Sequence, residues 1–173
     1  MIESGANVNS DDVNGSTPLH IAAFNGNSKI LSLLLKNGAD INKMDASKNS
    51  PLHIAVIYSN DIETIKLLME SGSSVNQKNK DSHSPIHTAA YLGKEKLVDQ
   101  LLKAKDANIH LQDSEGYTAI HLSILKRKMA ATKAILRYMD EKNTSTVLTS
   151  TNGTTPLHIA CYLGLILFFK LKK

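Results

Sequence analysis

Thr17-Pro18-Leu19-His20 returns along the chain as Ser50-Pro51-Leu52-His53, Ser84-Pro85-Ile86-His87 and Thr155-Pro156-Leu157-His158. A further copy, Thr118-Ala119-Ile120-His121, keeps everything but the proline. The proline slot advances by 33, 34, 34 and 37 residues (18 to 51, 51 to 85, 85 to 119, 119 to 156). Self-similarity at such a period is the mark of a stacked repeat array. The nine glycines obey the same register. Gly15, Gly116 and Gly153 lie three residues before the proline slot, and Gly26, Gly93 and Gly164 lie six residues after the histidine. Gly5, Gly38 and Gly72 each open a short polar stretch that ends in Asn. Glycine is favoured where the backbone needs positive φ, so each slot predicts a turn or a helix end.

Within the motif, the residue types predict a helix start. The hydroxyl of Thr17, Ser50, Ser84, Thr118 or Thr155 suits an N-cap, where it accepts from a free backbone N–H. Pro18, Pro51, Pro85 and Pro156 then take the first helical position, where no N–H is wasted and φ is already set. Ala119 serves there as a good helix former. Small residues follow, as in Ala22-Ala23 and Ala89-Ala90, and let neighbouring helices approach closely. After the next glycine slot the apolar pairs recur four residues apart: Ile30-Leu31 with Leu34-Leu35, Thr64-Ile65 with Leu68-Met69, and Leu97-Val98 with Leu101-Leu102. That spacing predicts an amphipathic second helix. The unit is a short helix, a turn, a longer helix and a polar loop.

With Gly5-Ala6-Asn7-Val8-Asn9 and Gly38-Ala39-Asp40-Ile41-Asn42 completing the pattern, the chain resembles the ankyrin-repeat family. Five registered copies across about the whole chain make the resemblance specific. It implies an all-α solenoid of stacked antiparallel helix pairs with β-hairpin loops projecting at roughly right angles. The expected divisions are 1–11 (the second half of a truncated repeat), 12–44, 45–78 and 79–112 (repeats), 113–149 (a divergent repeat with a long loop) and 150–173 (an incomplete repeat with an apolar and basic tail). In the fourth repeat Arg127 replaces the inter-helix glycine, and Met139 to Thr149 replaces the Gly-Ala-Asp-Val-Asn stretch. In the third, Lys105 stands near the expected helix-end glycine. Longer, more mobile loops are expected at both places.

The chain's 173 residues suit one repeat-built domain. Its net charge of +4 says little about a partner, because Lys170, Lys172 and Lys173 supply three of the positive charges. No nucleic-acid partner is expected on that basis. A denser basic cluster, Lys126, Arg127, Lys128, Lys133 and Arg137, reads first as a solvated face and second as a contact for an acidic partner. The lone Cys161 excludes an intrachain disulfide framework and fits an intracellular, cytoplasmic setting. It stands in an alanine slot, which predicts small core filler. Met1-Ile2-Glu3-Ser4-Gly5 has no secretory signal pattern and aligns inside a second helix. Asn14, Asn143 and Asn152 fit the glycosylation acceptor pattern, which matters only in a secreted chain. Between Ile159 and Phe169 lie 11 largely apolar residues, too few for a membrane span of about 20. A surface-lying anchor is one reading of this tail; the end of a fragment of a longer array is the other, and the preferred one.

His20, His53, His87, His121 and His158 form a ladder at packed-helix spacing, roughly 10 Å. Zinc ligands sit about 2 Å from one ion, so the ladder does not close a metal site. The resemblance implies that these side chains bond backbone within and between repeats. No phosphate loop, paired-cysteine motif or nucleophile constellation is present. The expectation is a non-enzymatic chain with no cofactor and no metal. Ankyrin resemblance places variable contact positions at the hairpins and in the two residues that follow the small pair on the concave face. Here the latter are Phe24 and Asn25, Ile57 and Tyr58, Tyr91 and Leu92, Leu125 and Lys126, and Tyr162 with Leu163; Tyr117 is the aromatic candidate from the hairpins. The partner expected is another protein. The alternative is an ankyrin segment of a membrane-associated protein, an ion channel or a latrotoxin-like pore-forming toxin, which would carry its membrane spans outside this chain.

Overall fold

The computed structural model describes residues 5–144 and 148–165. Its helices come in pairs. The first repeat holds α1 (Pro18–Phe24) and α2 (Ser28–Lys36), and the second holds α3 (Pro51–Ile54) and α4 (Ile62–Glu70). The third holds α5 (Pro85–Leu92) and α6 (Glu95–Leu101), the fourth α7 (Ala119–Leu125) and α8 (Met129–Glu141), and α9 (Pro156–Tyr162) follows. First helices touch first helices (α1, α3, α5, α7, α9), and second helices touch second helices (α2, α4, α6, α8). Two helical layers result, and the fold is an all-α solenoid. The hairpin loops are tight turns, with no strand among the described residues. Successive loops share single backbone bonds, such as Ala46 N to Asn14 O and Lys80 N to Ser47 O, both 2.9 Å. One bond per repeat is too few to make a ladder.

Burial separates the two flanks of each repeat. Leu19, Leu52, Ile86 and Ile120 are buried, but Leu157 in the same slot is 47 % exposed. That slot is covered by the following repeat. Two residues further on, Ile54, Thr88, Leu122 and Ile159 are buried while Ile21 is 52 % exposed. This slot is covered by the preceding repeat. Fully burying a leucine stabilises by about 1.5–3 kcal/mol, so these two slots carry much of each interface. Cys161 departs from its expected role for the same reason. Ala23, Val56, Ala90 and Ile124 in its slot are buried, whereas Cys161 is exposed on the flank of α9, which no described helix covers.

The glycine slots impose φ whatever residue fills them. Lys48 (φ 57) and Ser82 (φ 61) stand in the hairpin slot of Gly15 (φ 73). Asn60 (φ 56) and Arg127 (φ 55) stand in the inter-helix slot of Gly26 (φ 64). Left-handed backbone costs a side chain about 1–2 kcal/mol, so stacking holds these four residues against their own preference.

Repeat two has one residue more between its helix starts: Pro51 to Asp61 is 10 steps, where Pro18 to Asn27 is 9. The extra residue is absorbed as a π-helical turn, Ala55–Ser59, continuing α3. Lys94 of the next repeat donates to the carbonyls of Val56 (2.7 Å) and Ile57 (2.8 Å) beside it. Burial lowers the pKa of that ammonium group.

In the fourth repeat the segment expected to loop from Met139 is helical as far as Glu141, and Met139 is fully buried. Nothing in Met129–Glu141 breaks the helix. The stop comes at Asn143 (φ 51), where Asn143 N bonds Asp140 O and Thr144 N bonds Met139 O. Gly38 and Ala39 end α2 with the same bonding pattern, to Leu35 O and Leu34 O. Residues 1–4, 145–147 and 166–173 lie outside the described set, and with them the expectations for the first residues, part of the long loop and most of the apolar tail.

Candidate functional site

The histidine ladder is built from two contacts at each rung. Nδ1 of His20, His53, His87 and His121 accepts from the backbone N–H of Thr17, Ser50, Ser84 and Thr118 at 3.1–3.3 Å. The hydroxyl of the same residue lies 2.8–2.9 Å from Nδ1. On the far side, Nε2 donates to a carbonyl of the next repeat: Asn49 (3.0 Å), His83 (3.0 Å), Tyr117 (3.2 Å) and Thr154 (3.1 Å) respectively. A carbonyl only accepts and a backbone N–H only donates, so the neutral Nε2–H tautomer alone satisfies both sides. A second proton on Nδ1 would face an N–H. Burial pushes the His53 and His87 pKa down to about 4 and lowers that of His121. Both ring nitrogens are used in bonding, which leaves neither for a metal or a reaction. His158 keeps its bond to Thr155 N (3.2 Å) but is exposed, with no carbonyl acceptor for Nε2 among the described residues.

The caps differ slightly from expectation. Ser50, Ser84 and Thr155 accept from the histidine backbone N–H at 3.3–3.4 Å, a long bond. The hydroxyls of Thr17 and Thr118 meet the ring, as those of the other three also do. The histidine ring thus fills the reciprocal place that Glu or Gln takes in a capping box. Pro18, Pro51, Pro85 and Pro156 stand at the helix starts as expected.

A second ladder escaped the sequence reading. Asn9 Nδ2 donates to Gly38 O (2.9 Å) while Asp40 N donates to Asn9 Oδ1 (2.7 Å). Asn42 repeats the clasp with Gly72 O (3.4 Å) and Ser74 N (3.0 Å), and Asn76 with Asp106 O (2.6 Å) and Asn108 N (3.0 Å). The signal was the asparagine that ends each Gly-initiated stretch. His110 stands at the next position in this register.

The candidate contact residues gather along the ends of the first helices. Phe24, Tyr58, Tyr91 and Leu125 are 38–56 % exposed, although Phe and Leu are among the residue types most often buried. Phe24 and Tyr58 bring their rings to 4.7 Å across the first repeat junction. Lys126 Nζ sits 4.7 Å over the Tyr91 ring across the third, a cation–π distance. Between them a hollow of about 360 Å³ opens between repeats two and three, bordered by Ile57, Asp81, His83, Tyr91 and Leu92. His83 stacks on His87 (5.8 Å between centroids) and places Nε2 3.6 Å from Asp113 Oδ2. Ile57 and Leu92 are half-buried. Asn25 is exposed but donates to Ile21 O (3.0 Å), closing its own helix. Tyr162 is almost fully exposed at the end of α9. Tyr117 is different: it is half-buried, rests against the core and lies 5.7 Å from His121.

The family model described as ankyrin repeats (3 copies) matches residues 1–79 and 86–171. The chain belongs to the ankyrin-repeat family. Ankyrin repeats are in general protein–protein interaction modules. No curated protein matches this ankyrin chain. Among its described residues no helix is long and apolar enough to cross a membrane.

Proposed function

We propose that this ankyrin array is a non-catalytic scaffold that docks a protein partner along the exposed ends of its first helices. The units that stack are the repeats 12–44, 45–78, 79–112 and 113–149, and the working place is intracellular. The observation that carries the reading is the row Phe24, Tyr58, Tyr91 and Leu125, apolar and open to solvent once per repeat. Such groups supply most of the binding energy at protein interfaces, about 2 kcal/mol or more for a central anchor. Lys126, Asn25 and Tyr162 border the row, Ile57 and Leu92 line the hollow within it, and Tyr117 supports it from the hairpin side. Engaged histidine nitrogens support the non-catalytic half of the reading.

The test is affinity capture with the intact chain as bait, followed by direct binding measurements on the captured proteins. Tyr58→Ala with Tyr91→Ala is expected to weaken binding at least about tenfold, because two partly exposed anchors are truncated. Helix content and melting should change little. Undiminished binding by the double variant would remove the row from the interface.

A further inference from the structure

The second-helix layer contains a cleft remote from the first-helix row. α6 ends at Leu101, seven residues after Lys94, while the equivalent point in α8 is Ile135, seven after Lys128. α8 continues six residues further, to Glu141, with no matching turn of α6 beside it. The overhang leaves a space of about 700 Å³ between α8 and the turn after α6. Ala104, half-buried, contributes apolar surface to it; Leu102 and Ala134 also border it but are buried. Its charged border is Lys103, Lys105, Arg137 and Lys142 against Asp99 and Glu141. Arg137 donates to both Asp99 oxygens (2.9 and 3.1 Å), which neutralises that carboxylate across the repeat junction. Three lysines are left facing one glutamate. Their known contacts keep them apart: Lys103 Nζ reaches Gln100 Oε1 (3.2 Å), and Lys142 Nζ lies 5.9 Å over the Tyr138 ring. Lys103 and Lys105 stand in the turn after α6 and Lys142 follows the end of α8, so positive charge borders the cleft from both elements.

We propose that this cleft binds an acidic peptide segment of a partner protein, its carboxylates meeting Lys103, Lys105 and Lys142 and an apolar side chain resting against Ala104. Lysines on both sides of a cleft of this size fit an extended acidic peptide better than a compact anion. Nucleic acid fits less well, because its evenly spaced phosphates would face Glu141, whereas a peptide can place an uncharged residue there. The cleft lies where both departures from the repeat pattern meet, the early end of α6 and the late end of α8. It does not depend on the first-helix row.

The test uses the intact chain and a fluorescein-labelled octapeptide of seven glutamates around one central leucine, read by fluorescence anisotropy. A glutamine-for-glutamate peptide and a single-stranded oligonucleotide serve as comparators. Binding of the acidic peptide is expected to fall steeply between about 50 and 300 mM salt, because exposed charges are screened within a Debye length. Lys103→Glu with Lys142→Glu should weaken it at least about tenfold through like-charge opposition. Both lysines lie on exposed surface, and an unchanged melting curve would confirm that the variant folds; Lys105→Glu provides a second, independent variant. Tyr58→Ala with Tyr91→Ala should leave this binding unchanged, which separates the cleft from the docking row. The proposal is overturned if the charge-reversal variants bind as well as the parent, if the glutamine peptide binds equally, or if the oligonucleotide binds more tightly at the same cleft.

Discussion

Acidification from pH 7 to pH 5 should loosen this array through its buried histidines. His53 and His87 are neutral in the fold, with pKa pushed down from 6.5 to about 4 by burial, against the smaller pull of Asp45 and Asp113 respectively. Once unfolded, the same imidazoles regain the ordinary value. Between about pH 6.5 and pH 4 the unfolded chain therefore holds more protons than the native one, and stability drops as pH falls through that window. Above it both states are neutral and the dependence vanishes. Each histidine loses roughly 2 kcal/mol of stabilisation between pH 7 and pH 5, so the pair loses roughly 4 kcal/mol. His121, also lowered, acts in the same direction. Against a total stability of about 5–15 kcal/mol for a typical domain, that loss is large. Urea unfolding followed by far-ultraviolet circular dichroism at pH 7, 6 and 5 measures it. The midpoint should fall with pH. His87→Gln should be less stable at pH 7 and show a shallower pH dependence, since one of the two titrating rungs is gone. A midpoint that stays constant or rises on acidification would refute the neutral, buried tautomer.

Other substitutions follow from the repeat slots. Arg127→Gly should stabilise by about 1 kcal/mol, because glycine accepts φ 55 without the side-chain penalty and the bond lost, Arg127 Nη2 to Leu163 O at 3.3 Å, is exposed; thermal or urea unfolding reads the sign. Gly116→Ala should destabilise by about 2 kcal/mol or more, since φ is 80 there and a Cβ would collide with the Thr151 backbone nitrogen. Asn42→Ala should cost about 1–2 kcal/mol by leaving Ser74 N without its acceptor, and hydrogen exchange at Ser74 should accelerate. Lys94→Met should cost about 1–3 kcal/mol, because the carbonyls of Val56 and Ile57 lose their donor.

Most of the fold was legible because each slot has a single local cause. A hydroxyl, a proline and a histidine at fixed spacing specify a helix start, and the glycines specify where φ must be positive. Lys48, Ser82, Asn60 and Arg127 hid that requirement, since none has the freedom of glycine; only register revealed it. The length of α8 was hidden for a related reason. Loss of the glycine at its end suggested a loop, yet with no breaker the helix simply continued until Asn143. The π-helical turn followed from one surplus residue, but its stabilising donor, Lys94, belongs to the next repeat and is not visible in local sequence. Cys161 was misread because a slot that is buried inside the array is open on a flank that no described helix covers. At the candidate docking row, position was legible and burial was not: Tyr91 stands open, while Tyr117, equally aromatic, leans on the core.

Repeats one to four are each fastened to the next through a histidine whose Nε2–H meets that neighbour's carbonyl. Long-range ¹H–¹⁵N correlation of the imidazole nitrogens at pH 7 tests it most directly. Neutral Nε2–H tautomers are expected for His20, His53, His87 and His121, with slowly exchanging Nε2 protons for His53 and His87 and cross-relaxation from the His53 proton to His83 and Ser84. Nδ1–H tautomers, or rapidly averaging rings at the buried positions, would contradict this stacking.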